Sequence, residues 1–193
     1  TPKSDPSPEL WADYIYLDTD ERRRFAQVSH EYLIEQVQFQ TGQAKDSNTL
    51  SFNHPVKELV WTGTTNLTNG YRNMFTNATY KAKLVLNGHD RFAERPLTYF
   101  TQTQVWQYHT GTPVQCAVGL SSPTPLKAAN NEIAVYSFAL KPEEHQPSGT
   151  CNFSRIDNAE LRITGNGQAL NIYAVNYNVL RIMSGMGGLA YSN

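Results

Sequence analysis

The chain has 193 residues, of which 39% are hydrophobic and only 17% charged, and its formal net charge is −1. Globular domains usually carry about 25% charged residues, and here uncharged Asn, Thr, Gln and Ser fill the difference. Near-neutrality and plentiful aromatics exclude a charge-driven disordered chain. The same balance offers no basic field for nucleic acid, and no run approaches the roughly 18 apolar residues of a bilayer span. A chain of this length buries on the order of 70% of its unfolded surface, so a single domain is expected.

The opening TPKSDPSPE, with Pro2, Pro6 and Pro8, reads as a linker. It carries neither an initiator methionine nor a signal peptide, which predicts a processed product or the downstream part of a longer polypeptide. We therefore expect a linker over residues 1–10 and one folded domain over 11–193. Residues 13–17, an aromatic and β-branched run, predict a short strand. Asp18, with Glu21 three residues on, has the spacing of a helix capping box. The helix is expected over residues 19–28, with acids at its positive end and Arg22, Arg23 and Arg24 further along.

Residues 32–39 predict a strand whose second half alternates Val37 and Phe39 with Gln36 and Gln38. Residues 56–62 and 80–86 predict two more, and in the second Ala82, Leu84 and Leu86 share a face before Asn87 and Gly88 break it. The aromatics of residues 96–109 fit neither period, so helix and strand both stay open there. Further strands are expected over 133–140, 159–164 and 170–182, the last with Ile172, Ala174 and Asn176 opposite Tyr173, Val175 and Tyr177.

Strands joined by turn-rich connections, without repeated strand–helix alternation, predict an all-β antiparallel sandwich. The connections over 63–79 and 110–132 are long and rich in Asn, Thr, Gly and Pro. Loops of such length in a compact domain usually make contacts or carry function.

Motifs for chemistry are weak. Gly185, Gly187 and Ala190 match G-x-G-x-x-A, but only three residues follow, so no helix can be built behind them and a tight turn is expected instead. Glu143 and Glu144 are adjacent and flanked by prolines, which suits a solvated turn rather than a glycosidase pair. The five histidines, His30, His54, His89, His109 and His145, lack zinc-site spacing and read as surface or loop residues. Cys116 and Cys151 set no disulfide framework, and whether they pair stays open. No catalytic, cofactor-binding or metal-binding residue is expected. Three glycosylation sequons occur, at Asn66, Asn77 and Asn152, in a chain where chance matches are common.

Several blocks nevertheless resemble one family. VYSFALKPEEHQPSGTCNFSRID (residues 135–157) and NYNVLRIMSGMGGLAY (176–191) resemble the major capsid protein of nucleocytoplasmic large DNA viruses, of the phycodnavirus and iridovirus type. YIYLDTDERRRFAQ (14–27), His30-Glu31, LIEQ (33–36) and LNGHDRF (86–92) do so as well. The resemblance implies an eight-stranded jelly roll with short helices in its connections, the second half of a double jelly-roll subunit. Three such subunits would close a pseudo-hexagonal capsomer of an icosahedral shell in the virion. Its partners would be copies of itself, neighbouring capsomers and minor capsid proteins. The shell of this family encloses a membrane around the genome, so neither direct nucleic-acid contact nor membrane insertion is implied. By analogy, the two long connections would face outward. A carbohydrate-binding jelly roll is the alternative, with Trp11, Trp61 or Trp106 stacking on sugars.

Overall fold

A computed structural model describes residues 9–63, 80–111, 133–165 and 169–191. It begins with an extended arm, residues 9–18, that has no regular structure. Helix α1 (Thr19–Gln27) follows, and the expected capping box is present: Asp18 accepts from the first-turn backbone while Glu21 accepts from the Asp18 N–H. None of the helix is buried.

Strand β1 (His30–Gly42) leads into β2 (Ser47–Thr49), β3 (Pro55–Gly63), β4 (Lys81–Leu86) and the short β5 (His89–Asp90) and β6 (Arg95–Pro96). Asn87 and Gly88, both at positive φ, form the tight turn between β4 and β5. The ambiguous stretch is helical: a π-turn over Tyr99–Thr103 runs into α2 (Gln104–Tyr108). Then come β7 (Ile133–Ser137), β8 (Cys151–Asn152), β9 (Ala159–Thr164), β10 (Leu170–Met183) and β11 (Met186–Leu189).

These strands form two antiparallel sheets. One has the order β1-β10-β3-β7, with β11 on β10 and β8 on β3; the other has the order β2-β9-β4-β5, with β6 on β4. The chain crosses repeatedly from one sheet to the other and its first long strand pairs with its last, which is the winding of a jelly roll. The core lies between the sheets. Leu59, Trp61, Ile172 and Ala174 face Ala82, Leu84, Leu161 and Ile163, all but sealed from solvent. Phe100, delivered by the π-turn, is fully buried and packs at a tilt against Trp61, ring centroids 5.1 Å apart. The buried Trp61 indole N–H donates to the Tyr80 hydroxyl at 3.0 Å, so its one polar atom is satisfied.

Three expectations need correction. Residues 13–17 form no strand here, because none of them meets a partner backbone among the described residues. Strand β7 stops at Ser137, where Phe138 and Ala139 donate their N–H groups to the Lys57 carbonyl and the chain turns away. The glycine-rich ending is more than a turn: Ser184 and Gly185, both at positive φ, reverse the chain so that β11 pairs back on β10.

Candidate assembly surfaces

The first sheet has an unusual edge strand. In β1 the glutamines Gln36, Gln38 and Gln40 turn inward while Val37 and Phe39 face out. Inward glutamines cost little because each amide has backbone or side-chain partners. Gln38 both donates to the Asn53 carbonyl and accepts from the Asn53 N–H; Gln40 does the same with the Thr49 carbonyl and Ser51 N–H. They act as a side-chain ladder that ties residues 49–53 to the sheet. Gln36 accepts from Asn178, which also donates to the Tyr191 carbonyl, so the ladder reaches the C-terminal hairpin.

The outer face of that sheet is consequently apolar over β1, β10 and β3. The register places Val37 beside Val175, and Phe39 beside Tyr173, whose other neighbour is Val60. Phe39 and Tyr173 rings lie 5.0 Å apart, yet Val37 and Phe39 remain more than half exposed.

Below this patch the same face turns ionic. A bulge between β3 and β10 pairs Val175 with Glu58 and Asn176 with Val56, leaving Lys57 as the extra residue. Lys57 is only 3% exposed, and its ammonium is compensated by Glu35 at 2.8 Å and by the Tyr177 ring at 5.5 Å. His145 brings its Nδ1 to 3.6 Å from the same Glu35 carboxylate. Beside it, His109 sits between two carboxylates. Its Nδ1 is 3.2 Å from Glu143 and its Nε2 is 3.2 Å from Glu58, the latter a close approach of charges rather than a straight hydrogen bond. Glu58 is the main cause of the upward shift in the His109 pKa, which burial opposes. Glu143 also accepts from the Thr110 N–H and hydroxyl, which holds its carboxyl below the usual range. The cluster clips the end of α2 and the 138–147 segment against the sheet.

Two further apolar features are open to solvent. The arm exposes Trp11 at 87%, Tyr14 at 80%, Ile15 at 86% and Tyr16 at 92%. At the other terminus, Met183, Met186 and Tyr191 are exposed on or beside the β10–β11 hairpin.

The residues singled out by sequence disperse rather than converge. Asn66, Asn77, Cys116 and nearly all of both long connections lie outside the described residues. Asn152 is half-buried in β8, where its side chain accepts from the Ser154 N–H while Ser154 in turn accepts from His54. Cys151 is a half-buried free thiol whose pKa burial raises. Of the tryptophans, Trp61 is core, whereas Trp11 and Trp106 are exposed. Glu143 and Glu144 do lie in an exposed turn, from which Glu143 reaches the half-buried His109 to form a structural clip, and His54 is buried in the bend before β3. Spacing could not reveal the clip, since its partners come from three separate segments. No group of three or more His, Cys, Asp or Glu side chains among the described residues is arranged to hold a metal ion, and none of their helices is long and apolar enough to cross a membrane.

Comparison with known proteins gives this geometry a context. Residues 21–188 match the family model described as the large eukaryotic DNA virus major capsid protein. The chain is 56% identical to a major capsid protein of Pyramimonas orientalis virus, over 97% of this chain and 49% of that protein. It is 41% identical to that of Paramecium bursaria Chlorella virus 1, over 97% of this chain and 54% of the relative. Among solved structures, a quasi-atomic model of the PBCV-1 capsid matches with a TM-score of 0.71 and 40% identity, covering 93% of this chain and 56% of that one. The chain thus spans about half the length of these relatives. None of these comparisons supports the carbohydrate-binding alternative.

Proposed function

The chain belongs to the large eukaryotic DNA virus major capsid protein family, and from that premise we propose that it is the C-terminal jelly roll of a coat subunit that works by self-association. The carrying observation is the 56% identity to a major capsid protein over nearly the whole of this chain. In this reading the subunit is a double jelly roll. Three subunits close a heterologous ring, the pseudo-hexagonal capsomer, and capsomers tile the icosahedral shell of the virion with minor capsid proteins beneath them.

The physical features suit such a role. A rigid sandwich with a sealed core keeps its shape through many identical contacts. A net charge of −1 spares identical neighbours the mutual repulsion of a strong field of one sign. The patch around Phe39 and Val37 supplies apolar area that a neighbouring surface would cover.

Native mass spectrometry of the subunit isolated from its source is the direct test. A trimer of chains about twice this length is the expected result. Monomers across the working concentration range would overturn the capsomer reading.

A further inference from the structure

The segment after β7 is closed at its neck by one kind of bond and fastened at its tip by another. At the neck, the Leu140 N–H donates to the Ser148 carbonyl and the Lys141 N–H to the Ser148 hydroxyl, which donates in turn to the Lys141 carbonyl. These neutral bonds bring the two ends together, as in an Ω-loop, and contain no group that titrates near neutral pH. Pro142 is buried, whereas residues 143–147 are exposed. Among the described residues, this tip is tied to the rest of the molecule through Glu143 and His145. Glu143 meets the His109 ring and the Thr110 N–H and hydroxyl, and His145 meets Glu35.

The His109 fastening suits one protonation state only. Each ring nitrogen lies 3.2 Å from a carboxylate oxygen, Nδ1 from Glu143 on the tip and Nε2 from Glu58 on β3. An imidazolium presents an N–H to both; a neutral imidazole has one N–H and turns a bare lone pair on the other carboxylate. Glu58 and Glu143 are the charges that act on His109. The π-turn and β7, which pack against α2, bring only the phenols of Tyr99 and Tyr136, and α2 itself adds Tyr108. Lys57, Glu35 and His145 form the adjoining group, and Lys141 pairs with Glu144 within the segment. We propose that residues 143–147 are a pH-released lid, latched while the His109 ring carries two protons and freed when it loses one. Glu143 then keeps only its Thr110 bonds, and the opening tip withdraws His145 from Glu35. Glu35 stands two residues before Val37 on the same side of β1, so opening changes the surface that borders the apolar patch. The lid consists of this chain's own residues and does not rest on the coat-subunit reading. The direction follows from linkage: Glu58 raises the His109 pKa, so the latch is complete below about 6.5 and fails as pH rises through the raised folded value.

The test is hydrogen exchange on the full-length subunit, read at the Thr110 amide that donates to Glu143 and at the amides of β10. Each is expressed as protection relative to its intrinsic rate at that pH. Thr110 protection should hold up to about pH 6.5 and fall by at least about tenfold above the transition, the loss of one hydrogen bond between charged groups. The β10 amides should stay protected throughout. Unchanged Thr110 protection across the window overturns the lid, and so does a fall shared equally by β10, which would be loosening of the whole fold. His109→Gln offers a single donor at every pH and should show the low protection throughout. A pH dependence that survives in His109→Gln belongs to another group and overturns the latch. Should that variant fail to fold, the unmodified subunit still decides the question, and Glu143→Gln on the exposed tip should flatten the profile.

Discussion

Residues 13–17 and strand β7 (Ile133–Ser137) are five-residue runs of the same kind, tyrosine and β-branched residues bounded by polar ones. One is stripped to solvent and irregular; the other has four of its five residues buried. The difference is the neighbour. β7 lies in register with β3, Val135 against Val60 and Tyr136 against Leu59, and its inner face meets Phe92 and Phe138. Among the described residues the arm has no such strand beside it. Strand propensity expresses fit to a pleated, half-buried surface, so it takes effect only where that surface exists.

The largest effect should come from the paired run. Tyr136→Ala removes a buried ring from an aromatic cluster, and we expect a loss of about 3–5 kcal/mol in denaturant unfolding. Tyr16→Ala in this same chain should fall within about 0.5 kcal/mol of the parent. Equal losses at the two positions would refute the contrast.

Deleting residues 183–193 probes a strand with a single neighbour. It removes β11 and leaves the buried Asn178 amide without the Tyr191 carbonyl, for an expected cost of about 1–3 kcal/mol in unfolding or an equivalent weakening of the proposed trimer. Unchanged unfolding and oligomeric stability would show that the hairpin merely decorates the sheet. A smaller effect is expected for Gln38→Ala. The Asn53 backbone loses its ladder partner but lies near solvent, which limits the cost to about 0.5–1.5 kcal/mol. Val37→Thr on the opposite side of β1 should be close to neutral in this chain.

The smallest effect concerns pH. His109 has its pKa raised on folding by Glu58 and then Glu143, against the opposing pull of burial. Its contribution to stability is therefore complete below the ordinary histidine value of about 6.5 and fades as pH rises through the raised folded value. Melting curves across that window should show the parent losing stability relative to His109→Gln as the solution is made alkaline. Parallel pH profiles would remove the clip from the account.

Much of the sandwich was legible because its strands carry their burial in their alternation. Ala82 and Leu84, and Ile172, Ala174 and Asn176, do share faces as the period-two reading grouped them, and the structure turns those faces inward. β1 obeys the same period with the opposite polarity, since hydrogen bonds from Gln38 and Gln40 to the backbone of residues 49–53 make the polar side the inner one. Alternation specifies which residues share a face but not which face is covered. The helical turn around Phe100 escaped for a related reason: its aromatics are placed to pack against Trp61 in the core, a demand that neither period expresses.

By itself, then, the sequence determined an antiparallel all-β chain, the capped helix at Asp18 and, through its recognisable blocks, the family. Those depend on local backbone preferences and on residue identity, both of which are present in the linear order. Only the tertiary structure decided that the outer face of the β1-β10-β3-β7 sheet is apolar beside an ionic clip, and that residues 13–17 meet no partner strand among the described residues. Those outcomes depend on which distant backbone and which distant charge come to lie alongside, and Lys57, Glu35 and His145, or Glu58, His109 and Glu143, become neighbours only once the chain has closed its sheets.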